Sequence, residues 1–276
     1  RDREAVGPAR DQLRRVLGRV VESHAAGFKT GDLVRGFGRW GDHSCVVPAM
    51  SALNVVDDTV ADPRQHLGVL GMNGWTAYHG ITATGRTRPG ETVLVSAAAG
   101  ATGLLAAQIA RNMGCRVVGI AGGAGKCRML VEEFGLDCAI DYKNDDVEQA
   151  LTRIGGGIHV YFDNVGGPLL DAVLPHMAHY GRVAICGLVA TYTADSATPG
   201  PRRFDQVLMR RLSIAGFFSP DFAHRGPEYN ALLQPWLRAG RITLPFDITT
   251  GLENLLTAYA KLFTGGNIGK VLVKLT

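Results

Sequence analysis

The sequence predicts an α/β protein built on a doubly wound parallel sheet, with a smaller β-rich domain contributed by both chain ends. Three observations predict this fold class. A strand, a glycine turn, a helix and a second strand follow one another over residues 91–121. Further strands and helices then alternate to about residue 235, as in parallel sheets with helices on both faces. The two ends instead carry short strand-like pieces separated by glycines.

Residues 91–103 (ETVLVSAAAGATG) give the strongest local signal. Thr92–Val95 is a β-branched and aliphatic run, typical of a strand covered on both faces. Ala98, Gly100 and Gly103 then occupy the three small positions of a dinucleotide-binding turn, with alanine in place of the first glycine. The helix that follows would present unpaired N–H groups and its positive dipole end to a pyrophosphate. A tight turn needed only for helix–strand packing is the alternative.

The residues around Gly125 and Lys126 narrow the choice of nucleotide. A phosphate-binding loop of the Walker type is excluded, because Ile120 and Cys127 stand where it needs glycine and Ser or Thr. NAD enzymes usually place an acidic side chain at the end of the second strand, whereas residues 121–126 contain none. The missing acid and the presence of Lys126 favour the 2′-phosphate of NADP. A solvated lysine at a helix start is the alternative.

The remaining elements are predicted from hydrophobic period and from glycine and proline breaks. Helices are predicted at 104–113, 126–134, 145–154, 169–177 and 253–263. Strands of the sheet are predicted at 92–95, 116–121, 138–141, 158–163, 182–186 and 212–217. Strand-like pieces near the ends are predicted at 14–21, 32–34, 45–48, 247–249 and 270–275. We therefore predict an end-built domain from 1–63 and 244–276, and a cofactor domain from 64–243.

Composition excludes several classes of protein. The 276 residues are 46% hydrophobic and 20% charged, which is the balance of a globular protein. No apolar run is long enough to span a membrane, and residues 1–15 are charged rather than signal-like. We therefore expect a cytoplasmic protein that has no membrane as a partner. The net charge of +4 is scattered, so no nucleic acid partner is expected. Five dispersed cysteines argue against a disulfide framework or zinc knuckle and predict reduced, mostly buried thiols.

Five longer segments together carry a family resemblance. They are 71–78 (GMNGWTAY), 97–103 (AAAGATG), 161–167 (YFDNVGG), 181–187 (GRVAICG) and 265–270 (GGNIGK). On these residues the chain resembles the medium-chain dehydrogenase/reductase superfamily, and within it the zinc-independent branch of leukotriene dehydrogenase/prostaglandin reductases and alkenal double-bond reductases. The resemblance implies a Rossmann domain joined to a GroES-like domain. It also implies NADPH-dependent reduction of the C=C bond of an enone or enal.

The resemblance also implies roles for individual residues. The residues implied for the pyrophosphate are Gly100, Ala101, Thr102 and Gly103, and those implied for the adenosine 2′-phosphate are Lys126 and Tyr142. The residues implied for the nicotinamide half are Asn164, Cys186, Tyr192, Met72 and Asn267, with Phe217 and Phe218 by the nicotinamide amide and the substrate pocket. Ordinary capping or packing is the alternative for several of these residues, including Asn164, Tyr142 and Cys186.

Tyr192 is the candidate catalytic residue, because a phenol offers a hydrogen-bond donor where enolate charge develops. A loop aromatic that only anchors its own segment is the alternative. No metal is expected. The Gly-His-Glu of the zinc enzymes is missing near residues 16–18, and Cys45 is the lone cysteine where those enzymes carry a four-cysteine lobe.

Two further expectations follow from the resemblance. The family has a longer N-terminal half-domain, so we expect the N-terminal part to be incomplete: either the sequence lacks a segment, or the protein is truly short and its active site is more open. We also expect a homodimer in which the strand at 212–217 pairs across a two-fold axis. Three rival functions remain open: a quinone or alcohol oxidoreductase of the same superfamily, a non-redox cyclase or lyase that keeps the cofactor domain as a scaffold, and a nucleic-acid-binding quinone-reductase relative.

Overall fold

A computed structural model describes residues 14–192 and 200–275. Its strands, numbered in chain order, are β1 (Arg14–Arg19), β2 (Leu33–Gly38), β3 (Asn54–Val55), β4 (Thr92–Val95), β5 (Arg116–Ala121), β6 (Cys138–Asp141), β7 (Ile158–Asp163), β8 (Met177–Ile185), β9 (Ser213–Gly216), β10 (Phe246–Thr250) and β11 (Lys270–Lys274). Its α-helices are α1 (Met72–His79), α2 (Ala101–Asn112), α3 (Ala124–Glu132), α4 (Val147–Ile154), α5 (Gly167–Val173), α6 (Asp205–Met209), α7 (Gly226–Arg238) and α8 (Leu255–Thr264).

A six-stranded sheet forms the centre of the molecule, in the order β6-β5-β4-β7-β8-β9. Every pairing in it is parallel. All four residues of β4 are buried, as expected for a strand with helices on both faces. Because successive side chains point to opposite faces, Val93 and Val95 join one core cluster and Leu94 joins the other. The predicted doubly wound Rossmann sheet is confirmed.

The two chain ends form smaller sheets outside this core. Strands β1, β2 and β3 make an antiparallel sheet, and β10 pairs with β11 in parallel. The N-terminal and C-terminal regions contact each other at Trp40 and Tyr259, whose rings pack edge-to-face with centroids 6.5 Å apart. None of the helices in the described part of the chain combines the length and the hydropathy that a bilayer crossing requires.

Two predicted elements are wrong in part. Residues 45–48 are not a strand, because Ser51 and Leu53 donate their N–H groups back to Val47 and Pro48 and close turns there. The helix predicted at 169–177 ends at Val173, and a short 3₁₀ turn precedes β8. Pro175 explains this end, since proline has no N–H for the helical ladder.

Candidate active site

The carboxyl ends of β4 and β7 mark the point where the sheet changes direction. From β4 the chain moves outward through β5 to β6, and it then returns to the other side of β4 with β7. In open parallel sheets, ligands bind in the crevice outside the carboxyl ends at such a switch point. Ser96 follows β4 at this point, and Asn164 follows β7. This space, which we call the switch-point crevice, is the candidate site.

The glycine turn after β4 leads into α2 at this crevice. Gly100 is the N-cap of α2, and no side chain in the described ranges caps that end. A Cβ at Gly103 would overlap the carbonyl oxygen of Ala97, so a larger residue does not fit there. Ala98 is fully buried, and a Cβ on Gly119 of β5 would lie 3.0 Å from its methyl group. The small residues therefore let β4, α2 and β5 approach closely, and they leave the first N–H groups of α2 available for an anion.

Helix α1 supports this turn through Asn73, a residue for which the sequence predicted no role. Asn73 donates from Nδ2 to Oγ1 of Thr102 over 2.9 Å. The Thr102 oxygen is thereby an acceptor, which leaves its own O–H proton for another partner. Met72, at the start of α1, is half-buried and packs against the core. Asn73 lies inside the segment 71–78, which carries part of the family resemblance, and this position is the sequence feature that could have identified it.

Lys126 is anchored to the loop that precedes β11. Its Nζ donates to the carbonyl oxygens of Gly265 (2.7 Å) and Asn267 (2.6 Å). Burial, together with the nearby positive charge of Lys143, lowers the pKa of Lys126. An ammonium group has three donors, so one remains for an anion. Tyr142 is half-exposed, packs against Gly122 and lies near Gly265, one of the two residues that hold Lys126.

Asp141 brings a carboxylate to the end of β5 that the local sequence there lacks. It ends β6, and its Oδ1 accepts the N–H of Gly123 over 2.7 Å. It also accepts from the N–H of Lys143 (3.1 Å) and from Nδ2 of Asn144 (2.7 Å). These bonds, with that of Gly123 the largest, lower the pKa of Asp141. The carboxylate therefore shapes the turn at Gly123, whose φ is +99°, using donors of the chain itself. The sequence feature that could have identified this carboxylate is the acidic residue at the end of the neighbouring strand, β6.

The loop at 265–269 packs directly on the glycine turn. The N–H of Gly269 donates to the carbonyl oxygen of Ala99 over 2.8 Å, and Gly269 forms a parallel bridge with Gly100. Gly269 has a φ of +65°, and a Cβ there would overlap the carbonyl oxygen of Pro245. The Asn267 side chain donates to the Gly269 carbonyl (3.1 Å) and so holds its own loop. The structure thus brings Lys126, Asn267 and Gly100 to one wall of the crevice.

Asn164 and Cys186 lie at the carboxyl ends of β7 and β8. Asn164 is buried, and its Nδ2 donates to the carbonyl oxygen of Ser96 over 2.6 Å. Cys186 is a free thiol that donates its backbone N–H to the carbonyl of Asp163. Burial, with the charge of Asp163 as a smaller cause, raises the pKa of Cys186 to about 12. This side chain is therefore a neutral thiol at neutral pH and not a nucleophile.

Tyr192 bends back over the loop that follows β8. Its hydroxyl oxygen accepts the N–H of Leu188 over 3.2 Å, and the residue is 62% exposed. A Cβ on Gly187 would lie 3.3 Å from both the Tyr192 hydroxyl and the Asn164 carbonyl oxygen, so Gly187 allows their close approach. Because the hydroxyl accepts from Leu188, its proton is free to be donated elsewhere. Residues 193–199 lie outside the described ranges.

Phe217 directly follows β9 and lines a cavity there together with His79 and Phe222. It packs edge-to-face on Phe162 of β7 (ring centroids 6.0 Å apart) and near His79. Phe218 is 67% exposed. His79 stacks on Phe222 at 4.0 Å. Within 14–192 and 200–275, no group of three or more His, Cys, Asp or Glu side chains is arranged to hold a metal ion.

Known proteins resemble this chain over most of its length. A family model described as zinc-binding dehydrogenase matches residues 101–234. The NADPH-dependent curcumin reductase of Escherichia coli K12 is 39% identical over 264 residues, which are 94% of this chain and 76% of that protein. The NADP(+)-dependent 2-alkenal reductase of Nicotiana tabacum is 40% identical over 93% of this chain and 75% of that protein. The crystal structure of CurA from Vibrio vulnificus in complex with NADPH superposes with a TM-score of 0.88 at 35% identity, covering 96% of this chain and 80% of that one.

Proposed function

Because the chain belongs to the zinc-independent branch of the medium-chain dehydrogenase/reductase family, we propose that it is an NADPH-dependent reductase of the C=C bond of α,β-unsaturated carbonyl compounds. The observation that carries this proposal is the switch-point crevice. An uncapped helix N-terminus and the Lys126 ammonium lie on one side of it, and the Asn164 loop lies on the other. Two relatives that are similar over more than nine-tenths of this chain carry the names of an NADPH-dependent and an NADP(+)-dependent reductase.

The described residues fit NADP. The close-packed turn at Gly100–Gly103 would hold the pyrophosphate on the N–H groups of α2. Lys126, with one donor left, and Tyr142 would hold the 2′-phosphate. The carboxylate of Asp141 already accepts hydrogen bonds from the chain itself, so it needs no ribose hydroxyl as a donor. Asn164, Cys186, Met72 and Asn267 would border the nicotinamide half, and Phe217 would support it through Phe162.

NADPH, when bound, would supply the hydride for the β-carbon of the substrate, and a proton added at the carbon next to the carbonyl completes the reduction. The chain's own part is to bind, to orient and to stabilise charge. Tyr192 would donate its free O–H proton in a hydrogen bond to the substrate carbonyl oxygen, where negative charge develops as the C=C bond is reduced. The N–H that the Tyr192 oxygen accepts from Leu188 makes the phenol a better donor, because chained hydrogen bonds polarise one another.

A homodimer is part of the proposal. In the described part of the sheet, β9 is an edge strand, and exposed edges favour pairing with another chain. Leu208 and Met209, just before it, are 77% and 62% exposed. We propose that β9 pairs with its copy across a two-fold axis. Light scattering tests this directly: a dimer mass supports it, and a monomer at micromolar concentration contradicts it.

The domain division and the location complete the proposal. The separate end sheets support a GroES-like domain from 1–63 and 244–276 and an NADP domain from 64–243. Free thiols, including the exposed Cys45, fit a reducing cytoplasm.

A panel of substrates tests the function. The purified chain is mixed with NADPH and enones, enals, quinones or saturated ketones, and nicotinamide absorbance is followed. Oxidation with enones and enals, but not with saturated ketones, supports the proposal. Oxidation with quinones alone would instead assign a quinone oxidoreductase. NADPH binding without oxidation by any substrate would favour a cofactor domain kept as a scaffold.

A further inference from the structure

Asp163 is a fully buried carboxylate whose hydrogen bonds converge on one oxygen. Oδ1 accepts from the hydroxyls of Ser96 (3.1 Å) and Tyr161 (2.8 Å). It also accepts the backbone N–H groups of Val165 (2.9 Å) and Gly166 (3.0 Å). Oδ2 is buried without a hydrogen-bond partner among the described residues. Burying a carboxylate is costly even with such compensation, so an apolar residue would be the simpler choice for packing alone.

Ser96 extends these bonds across the switch-point crevice. While its hydroxyl donates to Asp163, the same oxygen accepts the N–H of Asn164 over 2.9 Å. The Asn164 side chain returns a bond of 2.6 Å to the Ser96 carbonyl oxygen. Ser96 directly precedes the glycine turn, and Asn164 begins the loop that leads to α5. These bonds therefore fasten the turn on one side of the crevice to the loop on the other side.

The same carboxylate also fixes the start of α5. Gly166 is the N-cap of that helix and has a φ of +68°. The N–H groups of Gly166 and Val165 both donate hydrogen bonds to the Asp163 carboxylate. Since the carboxylate is fully buried, it acts on a ligand in the crevice only through the groups that it holds.

We propose that Asp163 is a positioning residue for the cofactor: through Ser96 it sets the separation of the glycine turn and the Asn164 loop, and with it the affinity for NADPH. This inference rests on the proposed function only for the identity of the cofactor. The Asp163 carboxylate holds both walls of the crevice and touches neither the cofactor nor the reacting atoms.

Three variants separate positioning from plain stability. Ser96→Ala removes the hydroxyl link between the Asp163 carboxylate and the Asn164 N–H, while the bond from Asn164 Nδ2 to the Ser96 carbonyl oxygen remains. Tyr161→Phe is the matched control, because it also removes one donor from Oδ1 but leaves that link in place. Asp163→Asn keeps the shape and the acceptor oxygen while removing the charge. For each variant, the dissociation constant of NADPH is measured by fluorescence titration and the thermal midpoint by calorimetry.

Ser96→Ala is expected to raise the NADPH dissociation constant about tenfold, the equivalent of one or two lost hydrogen bonds. Tyr161→Phe should change it by less than about twofold, although it too lowers the midpoint. Asp163→Asn should raise it about threefold or more, since bonds to a charged acceptor are stronger than bonds to a neutral one. The kcat at saturating NADPH should stay within about twofold, because no reacting atom loses a contact.

A purely structural role predicts a different pattern. In that case all three variants would change the dissociation constant only in proportion to their loss of midpoint, and Tyr161→Phe would match Ser96→Ala. That result would overturn the inference, as would an unchanged affinity in Ser96→Ala. A wild-type chain that binds NADPH but reduces no enone would overturn the reductase proposal alone, whereas one that binds no NADPH would overturn both.

Discussion

Replacing Lys126 separates two roles that the structure gives to one ammonium group. Its Nζ holds the carbonyls of Gly265 and Asn267, and its remaining donor is available for a 2′-phosphate. Lys126→Ala removes both roles. Lys126→Gln keeps an N–H donor for the loop carbonyls but has no charge for a phosphate. Comparing the two variants with NADPH and NADH therefore isolates the phosphate contact from the loop anchor.

The magnitude follows from the kind of bond that is lost. A hydrogen bond to a charged group is worth about 1.5–3 kcal/mol, so Lys126→Gln should raise the dissociation constant of NADPH by roughly 10- to 150-fold. NADH lacks the 2′-phosphate, and its dissociation constant should change by less than about threefold. Lys126→Ala should add a loss common to both cofactors, because the 265–269 loop that packs on Gly100 is released.

Isothermal titration of each variant with both cofactors measures these numbers. The pH dependence supplies an independent check. Burial lowers the pKa of Lys126, so the charge, and with it the preference for NADPH, is present below that pKa and is lost as the pH rises through it. Equal weakening of NADPH and NADH in Lys126→Gln would refute the phosphate role and leave only the loop anchor.

Three further predictions follow from the geometry. Gly103→Ala should destabilise the chain by about 1–3 kcal/mol in urea unfolding, because the new Cβ would overlap the carbonyl of Ala97 in the turn. Gly125→Ala in α3 should stabilise the chain by about 0.5–1 kcal/mol, because a Cβ there meets open space. Similar effects at both sites would contradict the packing argument. Tyr192→Phe should lower kcat for enone reduction by about 10²-fold with little change in NADPH affinity, so an unchanged kcat would remove Tyr192 from the chemistry. Burial opposes ionisation of Glu91, yet hydrogen bonds from Arg182 (2.5 Å at the shortest) and from the backbone N–H of Arg88 leave its pKa lowered. Its contribution to stability, present above its unfolded pKa, should therefore be lost as the pH falls through the folded pKa. Arg182→Met should cost about 1–3 kcal/mol at pH 7 in chemical denaturation, and a smaller loss should remain at acid pH because Arg182 also donates to the carbonyls of Gly85 and Arg86. An equal loss at both pH values would show that the ion pair is not its source.

The central sheet could be predicted from the sequence because its signals are local. The run Thr92–Val95 and the small residues of the turn at 98–103 encode a buried strand and a close helix start within a few positions. The end-built region was harder. The piece at 45–48 has strand-like residues, but the bonds of Ser51 and Leu53 close turns there.

The sequence nominates residues for the candidate site, but it does not reveal the hydrogen bonds that connect them. Lys126 was marked by the missing acid beside it, yet its loop partners lie about 140 positions away in the chain. Asp141 reaches the end of β5 only because β6 lies next to β5 in the sheet. The hydrogen bond that Ser96 donates to Asp163 likewise depends on strand order, which local patterns do not encode.

The most direct test of the central claim follows the transferred hydrogen. NADPH deuterated at the transferable position is incubated with the purified chain and an enone, and the product is examined by NMR and mass spectrometry. The reductase account predicts a saturated carbonyl compound that carries deuterium at the β-carbon. Deuterium at the former carbonyl carbon of an alcohol, or no deuterium in any product, would contradict it.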